Sequence, residues 1–540
     1  MVAGHTVGSV EERDNSKGGP SWIERVVDDF FGIDLRTLAA VRIGLALVVL
    51  WTLAYLVGDI DVWLTDGGVY PVGEGGEFAE FVFRFSLHAL SGQYGWQLLL
   101  FGVHAGCAAM LLVGYRTRFA SVATWLLTVS LFNRIHMTGH RADTLLCLLL
   151  LWGALTPWGA RASLDAIRHQ AEQVKERVVS IATAGLILQM PIVYVVTCVA
   201  KLRHSAWTQE FSGVHYALFP EYVTAFGAWV AALQPYVVSQ ILSVATLILQ
   251  GLGPILIFCP LLVGTSSSTR RRWLARLRHS AFAAYAVFHL VLLATVKVGL
   301  FPVISVVGLV PVISTSFWNR ANWPPMIERF RRAVEQRCRR LVSQRSRPLR
   351  VETSIATEAV ALLVGVLSVL SVAENLRAYS LASEVRTFQR SVHILQDWAM
   401  FHGPPRGVSH FVARGELADG QAVDLFAGGG PLAVDKGESI DWNRPQPERS
   451  SSHYAGYRWR LLMWTMTTYN PPEAEYERIA RQNYLGYLCR RWNGDNGGDQ
   501  KLESITLYHL FFSAEPPPTP PETTPQRDVI ARRDCAQYAR

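Results

Sequence analysis

The sequence predicts an all-α polytopic membrane bundle followed by a small exported α+β domain. Of the 540 residues, 50% are hydrophobic and only 17% are charged, and the mean hydropathy is +0.19. A soluble chain carries about 25% charged residues, and a disordered chain combines low hydrophobicity with high net charge. The apolar residues also fall into long runs rather than short amphipathic ones. These observations exclude intrinsic disorder and a soluble multidomain protein.

The apolar runs predict about nine transmembrane helices, because a helix of about 20 apolar residues crosses the hydrocarbon core of a bilayer. Two of the runs, the third and the fourth, are short, and a tilted or partly shielded helix would explain each. The seventh and eighth runs meet at Lys297, so they form either a tight hairpin of two helices or one broken helix. The nine runs are 37–57, 94–114, 119–132, 143–159, 178–200, 236–263, 280–296, 298–316 and 353–374.

The positions of the basic residues predict the orientation of the bundle. With the N-terminus in the cytoplasm, the inner segments hold 25 Lys and Arg, and the outer loops before the last spans hold 5. This bias follows the positive-inside rule. The net charge of +8 therefore reflects membrane topology, and we expect no nucleic-acid partner. Residues 1–30 form a polar segment without a signal-peptide pattern, so the first span is expected to act as the insertion signal.

The membrane domain is expected to span residues 31–375, and a non-cytoplasmic domain residues 376–515. Within this domain, residues 409–425 predict a hairpin around Asp419-Gly420, a dipeptide suited to a type I′ turn. Helical patterns follow at 456–466 and 472–492, and 503–513 is typical of a strand. Residues 516–540 begin with a proline-rich run, which predicts a stiff extended tail outside any core.

The seven cysteines show no zinc-binding spacing. Cys489 and Cys535 are the only two in the exported region. A disulfide between them and a pair of free thiols are both open, since export permits pairing.

Ionisable residues inside predicted spans need a reason to be there, because burying a charge in a membrane is costly. Arg42 lies close enough to the inner surface to snorkel, or it pairs inside the bundle. Asp143 is either a functional carboxylate or a helix N-cap. His136 and His140 have i,i+4 spacing, and with Asp143 they would make a metal triad. Gly139 lies between them and no glutamate completes the pattern, so we expect no metal.

Lys201 is the most informative of these residues. It ends the fifth span, and Trp207 follows, so an interfacial anchor is the simplest interpretation. However, only six of the 51 cationic residues are lysines, and arginine would anchor equally well. Lysine differs because desolvation can release its proton, whereas arginine stays charged. Lys201 is therefore either an anchor or a base. His289 is either a packed core histidine or a functional group. Lys297 is likewise either an anchor or a functional group.

Four stretches, spread over about residues 30–320, form a pattern of motifs. They are Leu35-Arg36-Thr37 through Val69-Tyr70-Pro71, Gly139 through Leu146 with Pro157-Trp158-Gly159, Tyr194 through Lys201-Leu202 to Trp207, and Phe288-His289 with Gly299-Leu300-Phe301-Pro302. In this order they resemble the transmembrane domain shared by vitamin K-dependent γ-carboxylase and the bacterial HTTM (horizontally transferred transmembrane) proteins. The segment Gln396-Asp397-Trp398-Ala399-Met400-Phe401 resembles the region that follows the last span in the bacterial proteins.

This resemblance implies an enzyme of the bacterial cytoplasmic membrane, a carbon–carbon lyase in class. It would oxidise reduced vitamin K or another quinol with oxygen and use carbon dioxide to carboxylate glutamate in an exported peptide, with no metal. The resemblance implies Lys201 as the base, with His289 and His140 as further catalytic residues. Quinol-contacting residues would be Tyr194, Trp207, Phe301 and Pro302.

Two other functions remain open from the sequence. One is a non-catalytic membrane protein that binds or matures an exported partner. The other is a quinone- or lipid-binding relative that has lost carboxylation. The enzyme requires Lys201 and His289 to converge on one apolar cavity, whereas partner binding requires that cavity to be absent or filled.

Overall fold

The structure is a computed structural model. It describes residues 21–72, 85–169, 176–219, 223–258, 268–320, 353–377, 380–426, 456–468, 475–515 and 524–536, together with the single positions 329, 336 and 442. The statements below concern these residues.

The described chain is mostly helical, with nineteen helices. The first eight are α1 Trp22–Phe31, α2 Leu35–Leu56, α3 Ile60–Leu64, α4 Tyr94–Val113, α5 Thr117–Arg134, α6 Arg141–Ala154, α7 Leu164–Arg168 and α8 Ile181–Leu202. They are followed by α9 Ser205–Thr208, α10 Gly213–Ala217, α11 Ala225–Leu233, α12 Tyr236–Phe258, α13 Ser268–Thr295, α14 Phe301–Leu309 and α15 Thr315–Arg320. The last four are α16 Ile355–Asn375, α17 Ser383–Ser391, α18 Tyr457–Thr468 and α19 Glu475–Asp495.

Within the described ranges, six helices are long and apolar enough to cross a membrane, rather than the nine predicted. They correspond to the first, second, fifth, sixth, seventh and ninth predicted runs, and are Leu35–Leu64, Tyr94–Val113, Ile181–Leu202, Tyr236–Ile257, Ala275–Thr295 and Ile355–Asn375. The other three runs form helices α5, α6 and α14, which are shorter or more polar. Since α6 has 14 residues and α14 has 9, neither reaches the length of about 20 that a straight span needs. The nine-span count is not confirmed.

The seventh and eighth runs are separate helices, because the chain turns between them. Gly299 has a φ of +59° in this turn, a left-handed conformation that glycine adopts without strain. Helix α14 then runs back into the bundle and contacts α2, α6, α8 and α13.

The chain segments at the two ends of the bundle are held by different contacts. At one end, Arg278 of α13 donates to the Asp29 carbonyl (3.0 Å) and Arg177 donates to the Gly32 carbonyl (2.9 Å). At the same end, Arg42 is buried and donates to the Ala162 carbonyl at 2.5 Å. Arg42 therefore pairs inside the bundle rather than snorkelling. The C-terminal domain contacts the opposite end, where Trp459 packs against Trp63 (4.6 Å between ring centroids).

The C-terminal domain is built on a four-stranded antiparallel sheet. Its strands are β3 Gly407–Leu417, β4 Ala422–Asp424, β5 Leu502–Ser513 and β6 Gln526–Asp534, in the spatial order β4-β3-β5-β6. The predicted hairpin is present, but its turn is not type I′, because Gly420 has a positive φ (+83°) and Asp419 does not. Helix α19 packs on β5 and β6, and Trp459 of α18 packs on Tyr484 of α19. A second, two-residue ladder, β1 Ile33–Asp34 with β2 Arg177–Val178, lies at the far end of the bundle.

The predicted tail is wrong for residues 526–534, which form β6 and pair with β5. Cys535 follows directly and forms a disulfide with Cys489 of α19, closing a separation of 46 residues. The prediction failed because a charged edge strand, Gln526 to Asp534, lacks the apolar alternation that marks a strand. The proline-rich run before it lies outside the described residues.

The segment after the last span folds back into the bundle. Gln396 and Trp398 are fully buried, and the Gln396 backbone N–H donates to Ser371 of α16 (2.7 Å). The Gln396 side chain hydrogen-bonds with Gln189 of α8 (2.9 Å). Thr197 of α8 donates to the Trp398 carbonyl (2.7 Å). This segment, residues 394–401, is therefore an internal part of the membrane domain.

Candidate functional site

Lys201 lies in the last turn of α8 and is buried, with 4% of its surface exposed. Its Nζ donates to Oε1 of Gln250 on α12 at 3.0 Å. The same nitrogen lies over the ring of Trp207, 4.3 Å from the centroid. Trp207 is fixed in turn, since its Nε1 donates to the Phe401 carbonyl at 2.8 Å. Among the described residues no carboxylate forms an ion pair with Lys201, so its contacts are with neutral groups.

Tyr194 of α8 and His289 of α13 form a second buried group. Tyr194 precedes Lys201 by seven residues, two turns of α8, so both side chains lie on one face. The Tyr194 hydroxyl and Nε2 of His289 are 2.8 Å apart. The Tyr194 ring stacks on Tyr285 of α13 (4.1 Å between centroids, planes at 10°). The Tyr285 hydroxyl donates to the carbonyl of Leu249, the neighbour of Gln250, at 2.8 Å. A series of contacts between α8, α12 and α13 thus runs from Lys201 to Tyr194.

Phe301, at the start of α14, connects His289 to His140. Its ring centroid lies 5.9 Å from that of His289 and 6.4 Å from that of His140, both edge-on. Pro302 occupies the first turn of α14, where its missing N–H costs no hydrogen bond. The structure therefore brings Tyr194, His289, Phe301 and His140 into one series of contacts. Lys201 with Trp207 and Gln250 forms the adjoining group.

His140 is the N-cap residue of α6, and this position fixes its tautomer. Its Nδ1 accepts the backbone N–H of Ala142 at 3.1 Å, so the neutral imidazole carries its hydrogen on Nε2. Burial, together with the nearby guanidinium groups of Arg460, Arg458 and Arg141, lowers the pKa of His140 to about 3. A neutral histidine held in this way can donate a hydrogen bond from Nε2 to a carbonyl or oxyanion.

Asp143 has two roles at the start of α6. The N-cap is His140 and not Asp143, so that alternative is wrong: Asp143 lies in the first turn, where its carboxylate accepts the backbone N–H of His140 (3.0 Å) and completes a capping box. It also forms a buried ion pair with Arg458 of the C-terminal domain, at 3.0 and 3.2 Å. Arg458 donates further to the Thr138 carbonyl (3.1 Å). The C-terminal domain is thereby attached directly to the turn that holds His140.

Tyr457 brings a C-terminal-domain side chain against the same turn. Its ring packs edge-on against His140 (5.6 Å) and stacks on Tyr55 at the end of α2 (6.0 Å). A Cβ on Gly299 would lie 2.9 Å from the Tyr457 ring, so glycine permits this approach.

The sequence alone does not single out Gln250, Gln396, Tyr457 or Arg458 as site residues. A signal for the first existed, since Gln189 and Gln250 each follow the same apolar run, Leu-Ile-Leu, within a predicted span. A polar residue inside a span is costly and marks an internal partner. Tyr457 and Arg458 lie more than 300 residues from His140 and Asp143, so no local pattern could link them.

Two cavities in the described part of the chain lie away from these residues. One is lined by Asp34, Arg177 and Arg278 at the opposite end of the bundle, and the other by His104, Thr128 and Thr52. Neither is lined by Lys201, His140 or His289. Among the described residues no group of three His, Cys, Asp or Glu side chains is arranged to hold a metal ion. Nδ1 of His136 contacts the Asn133 carbonyl (3.1 Å) instead.

Comparison with protein-family models, with curated proteins and with solved structures finds no match to this chain.

Proposed function

We propose that the chain is a membrane enzyme resembling vitamin K-dependent γ-carboxylase, in which Lys201 is the base that deprotonates reduced vitamin K or another quinol. The observation that carries the proposal is the burial of Lys201 among neutral partners, Gln250 and Trp207. Removing an ammonium from water costs several kcal/mol, and among the described residues Lys201 has no carboxylate partner to offset that cost. Burial without such a partner favours the neutral form of a lysine, because it disfavours the charged form. The neutral amine is the form that can accept a proton, as a general base must.

The proposed reaction balances without a metal. Conversion of the quinol to the quinone epoxide releases four electrons, two in forming the quinone and two in forming the epoxide, and these reduce one O₂. One oxygen atom enters the epoxide and the other leaves as water. The γ-proton of a glutamate is removed during this step and carbon dioxide takes its place. Of the three protons, two from the quinol and one from the glutamate, two end in the water and one is released. His140, a neutral hydrogen-bond donor, and His289, paired with Tyr194, would hold oxygen atoms of the reactants.

A second candidate is a non-catalytic protein that binds an exported partner or retains only quinone binding. It is favoured by the packing of Trp207, Gln250 and Tyr285 around Lys201 and Tyr194, since neither described cavity reaches these side chains. On the first proposal, a quinol must displace part of this packing on binding.

The test is formation of vitamin K epoxide by purified protein in detergent, supplied with reduced vitamin K and oxygen. Lys201→Met keeps the length of the side chain but removes the amine, so we expect activity to fall by a factor on the order of 10² to 10⁴, the usual contribution of a general base.

The matched control is Lys297→Met, which removes the half-buried lysine between α13 and α14. It is expected to retain activity. Loss in Lys297→Met with activity retained in Lys201→Met would assign the base to Lys297 and contradict the proposal. No epoxide from folded wild-type protein would favour the non-catalytic function, with Lys201 as an anchor.

A further inference from the structure

Two short helices outside the spans expose large apolar side chains at opposite ends of the bundle. Helix α1 has an apolar face of Trp22, Ile23, Val26, Val27 and Phe30, and its other face carries Glu24, Arg25, Asp28 and Asp29. Trp22 is 69% exposed, and Ile23 and Val27 are also exposed. Most of the apolar face of a charged, amphipathic helix is thus left uncovered by the described chain.

Helix α11 shows the same feature at the other end. Phe226, Trp229 and Leu233 follow each other at helical spacing, so they lie on one face. All three are exposed, Trp229 at 60%. Phe226 and Trp229 stack on each other with centroids 5.8 Å apart. Two aromatic rings and a leucine on a short exposed helix are typical of a segment at a membrane–water interface.

Both helices are fixed to the same span, α13. Helix α1 is held at Arg278, which donates to the Asp29 carbonyl (3.0 Å) and lies over the ring of Phe30 (5.5 Å). Helix α11 is held at Thr295, whose carbonyl accepts the backbone N–H of Thr224 (3.0 Å). Gly227 permits this contact, because a Cβ there would lie 2.0 Å from the same carbonyl oxygen.

The separation of the two attachment points matches the thickness of a membrane. Arg278 and Thr295 are 17 residues apart in one continuous helix, which corresponds to about 26 Å along its axis. The hydrocarbon core of a bilayer is about 30 Å thick. Two apolar faces at this spacing, on opposite ends of a bundle whose spans expose apolar side chains between them, fit the two surfaces of one bilayer.

We infer that α1 and α11 are interfacial helices, each lying in the surface of one leaflet with its exposed apolar face among the lipid acyl chains. Their partner is the lipid surface itself, and together they fix the depth of the bundle. His289 precedes Thr295 by six residues, which sets it about 9 Å below the α11 surface. The inference does not depend on the proposed enzymatic activity.

The test uses the full chain in vesicles whose lipids carry bromine at a shallow position of the acyl chains. A bimane fluorophore is attached to single cysteines introduced on the apolar faces, as Ile23→Cys and Trp229→Cys. Matched controls are Arg25→Cys on the polar face of α1 and Gln209→Cys in the loop after α9, both exposed positions. Thermal unfolding of each labelled variant verifies that it is folded.

We expect bromine to quench the fluorophore at 23 and 229 at least about twofold more than at 25 and 209, because only the apolar faces of interfacial helices enter the acyl region. Equal quenching at the apolar and control positions would overturn the inference. So would strong quenching at only one of 23 and 229, since the depth argument requires both helices at their own surfaces.

Discussion

At the scale of single residues, the site depends on how buried polar groups are satisfied. Lys201 is singled out by its residue type, because only six of the 51 cationic residues of this chain are lysines. The structure adds its partners, Gln250 and Trp207. For His140, too, the sequence and the structure contribute different information. The sequence shows that it lies just before an apolar helix. Its tautomer follows only from the contact between Nδ1 and the Ala142 N–H.

Asp424 in the C-terminal domain gives a prediction about pH. Burial raises the pKa of Asp424 to about 6, although the carboxylate accepts the backbone N–H groups of Phe426 and Ala413. A carboxyl whose pKa is higher in the folded than in the unfolded state stabilises the protein below its unfolded pKa of about 3.9. That stability is lost as the pH rises through 6.

We therefore expect Asp424→Asn to be more stable than wild type at pH 7.5, because the amide oxygen can still accept both N–H groups without a buried charge. The gain should be about 2–3 kcal/mol at most and should vanish toward pH 4. The measurement is the difference in thermal unfolding between variant and wild type from pH 4 to 8. If the difference in stability between Asp424→Asn and wild type did not change with pH, the raised pKa of Asp424 would be contradicted.

At the scale of elements, the important contact joins α6 of the bundle to α18 of the C-terminal domain. Asp143 and Arg458 are both buried, with side chains 5% and 1% exposed. Arg458 also lies over the rings of Tyr457 and Phe132, at 5.3 and 5.5 Å. Since Asp143 caps the turn of His140, docking of the C-terminal domain and the orientation of His140 are coupled through one side chain.

Arg458→Met is expected to destabilise the protein by about 3–5 kcal/mol, because it leaves a buried carboxylate without its partner. The double variant Arg458→Met/Asp143→Asn removes that charge and retains an acceptor for the His140 N–H. It should recover a substantial part of the loss. The measurement is the free energy of unfolding in detergent of the wild type, the single variant and the double variant.

The matched control for this pair is Arg414→Met. Arg414 pairs with Glu416 at 3.3 Å, but both side chains are more than a third exposed. A surface pair of this kind contributes about 0–1 kcal/mol. If Arg458→Met were no more destabilising than Arg414→Met, the buried pair would not hold the two domains together.

At the scale of the whole molecule, the contacts between distant chain segments lie at the two ends of the helix bundle. Residues near Asp28, Gly32 and Arg278 meet at one end, while the C-terminal domain meets Trp63 and the α6 turn at the other. This division agrees with the separation of basic inner segments from outer loops. Which end faces the cytoplasm stays a prediction of the positive-inside rule.

We predict that a membrane-impermeant maleimide added to intact cells labels Asp419→Cys, in the exposed turn of the C-terminal domain. Arg118→Cys, exposed at the start of α5, should be labelled only after permeabilisation. Wild-type protein provides the background of its own thiols. The opposite labelling pattern would show the inverted topology and place the C-terminal domain in the cytoplasm.

Much of the fold was predictable because it depends on local patterns. Apolar runs of sufficient length predicted the six long helices, and the Asp419-Gly420 turn with its flanking alternation predicted the β3–β4 hairpin. The three further predicted spans are not confirmed, because composition alone does not distinguish a span from a shorter helix packed among others. Strand β6 was missed for the opposite reason, as its stability comes from pairing with β5 rather than from its own apolar residues.

The sequence by itself determined that this protein enters a membrane, where its six long apolar helices lie, and which ionisable residues needed an explanation. These properties follow from transfer free energies and helix geometry, which act over about 20 consecutive residues. Only the tertiary structure decided which partners those residues have: Gln250 for Lys201, Tyr194 for His289 and Arg458 for Asp143. Each pair joins positions far apart in the chain. A buried polar group must be satisfied by whatever the packing brings to it, and packing is a property of the whole fold.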